Sequence, residues 1–158
     1  MRLKDIAIAA IFIFVCLAAG AIGSLFTIQS IPTWYAGLQK PVFAPPNWVF
    51  GPVWTTLYVM MGVSAYIIYR KGDKKKEVLA ALEIFGIQLI LNTLWSILFF
   101  GLRSPSYGLI GIIALWIAIA ATLIRFYRIS KPASYLFIPY LFWVTFAGFL
   151  NLAIVLLN

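Results

Sequence analysis

An all-α integral membrane protein, a bundle of five transmembrane helices, is the fold class that this sequence predicts. Three observations carry the prediction. Of 158 residues, 64% are hydrophobic and only 10% charged, and mean hydropathy is +1.02, whereas a soluble domain carries about a quarter charged residues. Five apolar runs, approximately Ile6–Ile28, Trp48–Tyr69, Val78–Gly101, Tyr107–Tyr127 and Tyr135–Leu157, can each cross a hydrocarbon core of about 30 Å, which takes about 20 helical residues. The runs are continuous, without the period-two alternation of lipid-facing strands, so helices are preferred to a barrel. Residues 1–158 read as one transmembrane domain.

The first run follows a basic start and has Ala19-Gly20-Ala21 near its end, superficially like a signal peptide. Its apolar stretch of about 22 residues exceeds the usual 7–15 of a cleaved signal, so a retained helix is expected. Cys16 is the single cysteine, which rules out an intramolecular disulfide, and it reads as a small apolar residue. Between the first and second runs, about residues 29–47, lies a connection dense in proline and aromatic residues. Pro32, Pro41, Pro45 and Pro46 fix φ and remove backbone donors, so this segment is a stiffened loop, placed to act as a lid.

Charge sets the expected topology. Arg2 and Lys4, then Arg70, Lys71, Lys74, Lys75 and Lys76, then Arg125, Arg128 and Lys131 fall on one side by alternation, while the other side has Lys40 and Arg103. This bias predicts a cytoplasmic N-terminus, a C-terminus outside and an odd number of spans. It also explains the net charge of +8 without nucleic acid. The Lys74–Lys76 run leaves two readings open, binding of anionic membrane lipid or plain topology determination.

Much chemistry is excluded by composition. With no histidine, His-based triads, His-ligated zinc and the commonest haem ligand are absent, and no metal site or cofactor is expected. The acids are Asp5, Asp73, Glu77 and Glu83, all near the expected cytoplasmic side. Glu83 alone falls inside a span, about one turn from its start, and reads either as a functional acid or as a side chain snorkelling to the headgroups. No acid pair and no Gly-rich phosphate loop supports ordinary hydrolysis or phosphoryl transfer.

Polar and aromatic residues nevertheless recur at helical spacing. Phe50, Trp54 and Tyr58 form a stripe in the second span; Gln88, Asn92, Trp95 and Phe99 share a face of the third. In the fifth, Pro139, Trp143, Ala147 and Asn151 repeat every four residues, and a kink at Pro139 is expected to open space beside Trp143. Unpaired amides are costly in hydrocarbon, so Gln88, Asn92 and Asn151 should face the bundle interior. By helical rise, Trp54, Tyr58, Trp95 and Phe99 lie in the outer half of their spans, with Trp143 and Ala147 central in theirs. Packing and a ligand pocket are both open readings of Trp54, Trp95 and Trp143. Trp48, Tyr69, Tyr107 and Tyr135 read as interfacial anchors. The small residues Gly20, Ser24, Gly108, Gly111, Ala114 and Ala118 permit close helix approach, within the bundle or across a dimer.

Several motifs together resemble the TspO/MBR family, the translocator proteins formerly called peripheral-type benzodiazepine receptors. They are Trp34-Tyr35-Ala36-Gly37-Leu38-Gln39-Lys40-Pro41, Pro45-Pro46-Asn47-Trp48, Gly51-Pro52-Val53-Trp54, Thr56-Leu57-Tyr58, Gln88-Leu89 with Asn92 and Trp95, Phe99-Phe100-Gly101, Pro139-Tyr140-Leu141, Trp143, Phe146-Ala147 and Leu150-Asn151. The resemblance implies a five-helix bundle, commonly a homodimer, with a cavity under the first loop. It implies binding of porphyrins such as protoporphyrin IX and of hydrophobic small molecules of the isoquinoline carboxamide and benzodiazepine types. The implied cavity positions are Tyr35, Trp54, Asn92, Trp95, Trp143 and Ala147; the stripes add Phe50, Tyr58 and Phe99. Leu152 and Leu156 stand where a sterol-binding member would carry tyrosine and a basic residue, so sterol binding through that motif is not expected.

Three functions are weighed on this basis. The first is a membrane receptor or sensor for tetrapyrroles, with Trp54, Trp95 and Trp143 stacking on the macrocycle and Asn92 in polar contact. Lys40, the one lid cation, either pairs with a propionate or is solvated. The second, implied by the resemblance, is light- and oxygen-dependent porphyrin breakdown, with Trp54 and Trp143 as the candidate catalytic residues. The third is transport of porphyrin or lipid, disfavoured by the odd span count, which leaves no inverted repeat.

Overall fold

The computed structural model of the chain describes residues 3–72 and 75–158, so Arg2, Asp73 and Lys74 of the charge pattern lie outside the described residues. Five helices account for nearly all of the rest: α1 Leu3–Ser30, α2 Asn47–Tyr69, α3 Lys75–Ser96, α4 Pro105–Ile129 and α5 Lys131–Leu157, with no strand among the described residues. Each is long and apolar enough to span a membrane, α3 together with the turn Ile97–Gly101 that continues it. The protein is a multi-pass, all-helical membrane protein. Most helix ends run a few residues past the apolar runs, because the hydrogen-bond ladder continues into the interface after hydropathy has fallen.

Local chemistry explains the ends and turns. Pro105 opens α4 behind Ser104, whose hydroxyl accepts the Tyr107 N–H, an N-cap with proline at the first helical position. Ser130 alone joins α4 to α5: its N–H reaches the Phe126 carbonyl, and the Ser134 hydroxyl donates to the Leu123 carbonyl at 3.0 Å. That short link makes α4 and α5 antiparallel neighbours. α5 continues as helix through Pro139, which is exposed.

Residues Ile97–Gly101 wind as a π turn, with the Leu102 N–H bonded to the Ile97 carbonyl at 2.8 Å. The wider turn lets the consecutive Phe99 and Phe100 both face inward, 3% and 8% exposed. Ser30, at the end of α1, donates to the Phe100 carbonyl at 2.8 Å in this region.

Glycine sets the closest helix contacts. A Cβ at Gly62 would sit 2.5 Å from the Cα of Ile13, so α1 and α2 touch backbone to backbone there. Gly108 is covered by Phe99, drawing α4 onto the end of α3. Nearer its C-terminus α1 leans on α3: the Ala19 carbonyl accepts the Thr93 hydroxyl at 3.2 Å, and Gly23 faces Ser96. The core has two aromatic groups. Phe85, Phe126 and Phe137 fill the end near the basic connections; Trp34, Tyr35, Trp95, Phe99 and Phe100 fill the end under the 31–46 connection, the lid end.

Candidate functional site

α1 and α2 touch at Gly62 while α1 leans on α3 farther up, and a cavity of about 440 Å³ opens between the three helices at the lid end. α2 presents Phe50, Trp54 and Tyr58 to it, the whole stripe read from the sequence. α3 and its π turn add Asn92, Trp95, Ser96 and Phe100. Among the described residues, no charged side chain lines this cavity.

The aromatic wall is continuous. Trp54 stacks on Tyr58 with centroids 5.7 Å apart and lies 6.3 Å from Trp95, which stacks on Phe99 at 5.7 Å. Behind it runs a hydrogen-bonded chain. The Tyr58 hydroxyl donates to Asn92 Oδ1, Asn92 Nδ2 donates to the Tyr140 hydroxyl at 2.7 Å, and that hydroxyl donates to Gln88 Oε1 at 3.0 Å. Gln88, Asn92 and Asn151 are all buried, in line with the high cost of an unpaired amide in an apolar interior. Asn92 is thus largely committed to protein partners: its carbonyl accepts from Tyr58 and one of its two amide hydrogens goes to Tyr140.

The other expected site residues lie elsewhere. Tyr35 and Phe99 form a roof layer behind the wall, with ring centroids 6.2 Å apart. Trp143 packs against Phe50 at 6.1 Å and Phe146 at 5.6 Å, and its indole N–H is buried without a partner. Ala147 is 7% exposed, within the core. Neither α5 residue lines the cavity, because Trp54 and Trp95 fill the space toward that helix. Trp54 meets Tyr140 edge-on at 6.2 Å, and Trp95 Nε1 reaches Asn151 Oδ1 at 3.5 Å.

Tyr140, fully buried at the centre of the polar chain, was not picked out by spacing, since the stripe was read through Pro139 and Trp143. The α1 wall was missed as well. Leu17, Gly20, Ser24 and Thr27, with Ile31 just past the end of the helix, line the cavity at spacings of three and four. The signal was Gly20, Ser24 and Thr27, small or hydroxylic residues at helical spacing. Gly20 and Ser24 were read only as contact residues.

The lid is tied down at several points. Tyr35–Gly37 make one 3₁₀ turn, and the Lys40 ammonium donates to the carbonyls of Tyr35 at 2.8 Å and Leu38 at 3.1 Å while sitting 4.8 Å above the Tyr35 ring. Lys40 therefore clamps the lid onto itself, a use that neither a propionate partner nor simple solvation anticipated. Burial raises the Tyr35 phenol above its ordinary pKa. The Asn158 side chain accepts the Gln39 N–H and donates to the Gln39 carbonyl, both at 3.0 Å, joining the lid to the end of α5. Glu83 is exposed, in keeping with a snorkelling side chain.

Comparison with known proteins agrees with this architecture. The TspO/MBR family profile matches residues 12–157. A "Tryptophan-rich protein TspO" from Archaeoglobus fulgidus is 53% identical over 146 residues, covering 92% of this chain and 94% of the relative. Another protein of that name, from Chlorobaculum tepidum, is 48% identical over 155 residues, 98% of each chain. The human "Translocator protein" is 40% identical over 131 residues, 82% of this chain and 78% of its own. The chain belongs to the TspO/MBR family.

Proposed function

We propose that this protein is a membrane receptor or sensor that binds protoporphyrin IX, and isoquinoline-type hydrophobic molecules, in the aromatic cavity beneath the lid. The observation that carries the reading is the cavity's chemistry. Its wall is largely apolar and aromatic, and its Asn92 is largely committed to Tyr58 and Tyr140. Flat hydrophobic ligands are held by such walls through area and stacking. The wall carries no acid, cation or thiol, which favours binding over hydrolysis or group transfer. The ten-to-two distribution of cations supports a lid facing outside and basic connections facing the cytoplasm. The small-residue positions Gly108 and Gly111 are used inside the bundle, against Phe99 and Leu98, so a homodimer would need another face.

Trp54 is the residue expected to matter most for affinity. A Trp54→Ala substitution removes the ring in the middle of the wall, and protoporphyrin binding should weaken by about 2 kcal/mol, roughly thirtyfold in Kd. Spectral titration of the protein in detergent or nanodiscs reads this directly. Unchanged affinity would move the ligand out of this cavity.

A second reading keeps the same cavity and adds light- and oxygen-dependent breakdown of the bound porphyrin. Trp54 favours it, being in the wall and stacked on Tyr58. Trp143, held back behind Phe50, is the weaker candidate. On illumination in air, Trp54→Phe should slow bleaching of the bound porphyrin and change the product spectrum, while Trp143→Phe changes them less. Identical products and rates in wild type and Trp54→Phe would leave binding as the whole function.

A further inference from the structure

The cavity opens sideways. Its α1 wall ends in the exposed residues Ala21 and Ile28, and its α2 wall in the exposed Gly51 and Thr55. These four line the cavity and are also exposed, on two helices long and apolar enough to span a membrane. Below them the gap is closed, because Gly20 lies against the Tyr58 ring and Gly62 against the Ile13 backbone. Above them the path is covered: Tyr35 is 3% exposed and the lid is bound by Lys40 and Asn158. At Gly51 an added Cβ would meet nothing within 4 Å, so the slot is open at that point.

We propose that the slot between α1 and α2 is the passage through which ligand reaches the cavity, directly from the bilayer and beneath a lid that stays closed. The ligand class is accordingly an amphiphile already dissolved in the membrane: a flat, mostly apolar molecule that slides in edge-first and leaves its polar groups near the interface. The slot's hydroxyl side chains do not oppose apolar passage, since they are turned to their own helices. Ser24 donates to the Ala21 carbonyl at 2.7 Å and Thr55 to the Gly51 carbonyl at 2.9 Å. Gly51 and Ala21 set the aperture, and with it the thickness of molecule admitted.

This proposal rests on the cavity being the binding site, and the test separates the two. Protoporphyrin IX is pre-equilibrated into lipid vesicles and mixed by fusion with vesicles holding wild type, Gly51→Leu or Ala21→Trp, and binding is followed by stopped-flow absorbance. Narrowing a passage slows both directions, so association and dissociation should each fall by about tenfold or more while Kd moves far less than either rate. The two substitutions sit on opposite rims, and a matching melting temperature shows that each variant is folded. Association as fast as wild type in both folded variants overturns the slot. So does a loss of affinity, partial or complete, carried by faster dissociation, since the side chains would then be filling the pocket. Failure of wild type itself to bind removes the cavity as the porphyrin site, and the passage with it.

Discussion

Replacing Gly62 with leucine is expected to destabilise the bundle by about 3 kcal/mol, the upper part of the range for forcing bulk into a packed interior. Here the obstacle is backbone: the new Cβ would lie 2.5 Å from Ile13 Cα and 2.8 Å from Ile13 N. A side chain swings away from such a contact, but a helix backbone moves only with its helix. The opposing gain in helix propensity, about 1 kcal/mol, is too small to reverse the sign. Gly86, also helical but with nothing within 4 Å of an added Cβ, supplies the contrast. Gly86→Ala should be neutral or stabilising by up to about 1 kcal/mol. Denaturation in mixed micelles, followed by circular dichroism, measures both. A Gly62→Leu midpoint equal to wild type would mean that α1 and α2 do not meet there. The same substitution should also reshape the cavity, since that contact is the pivot below the opening.

Asn92→Leu is the second large effect, expected at about 2 kcal/mol of lost stability. The volume is nearly kept, so the loss comes from hydrogen bonding. Tyr58 loses its acceptor within the bundle core, while Tyr140 keeps Gln88 as acceptor. Measured interhelical hydrogen bonds in membranes average only about 0.6 kcal/mol, because unfolded chains in lipid also find partners. An orphaned buried hydroxyl is worse than an absent one, and that asymmetry sets the larger figure. Tyr58→Phe added to Asn92→Leu should therefore recover part of the loss. A strictly additive double variant would mean that the two side chains are not coupled in the folded protein.

Much of this molecule was legible in its sequence for a definite reason. Hydropathy and helical periodicity are local, and a bilayer imposes them strongly on every span. The five spans, the inward amides and the Phe50–Trp54–Tyr58 stripe follow from that, and all appear in the fold. The stripe on α5 holds at Ala147 and Asn151, which are buried, and fails at its first position, where Pro139 is exposed and the neighbouring Tyr140 is fully buried. A proline draws attention by its backbone effect, but its position says little about which face of a helix is packed. The π turn was not legible either, since consecutive Phe99 and Phe100 look like any apolar run until one extra residue in the turn carries both inward.

By itself the sequence determined the class of protein, the number of membrane crossings, its family, and which helix faces hold aromatic rings and amides. These depend on residues close in the chain and on the solvent each must satisfy. Only the tertiary structure decided which helices enclose the cavity and which side it faces. Those features depend on where α1 touches α2 at Gly62 and where it leans on α3 at Ala19, Gly23 and Ser30, and on how Trp54 and Trp95 fill the space before α5. Contacts between distant segments are set by packed volumes rather than by local pattern. For that reason α1, the helix with the plainest sequence, forms one wall of the cavity, while Trp143 stands behind it.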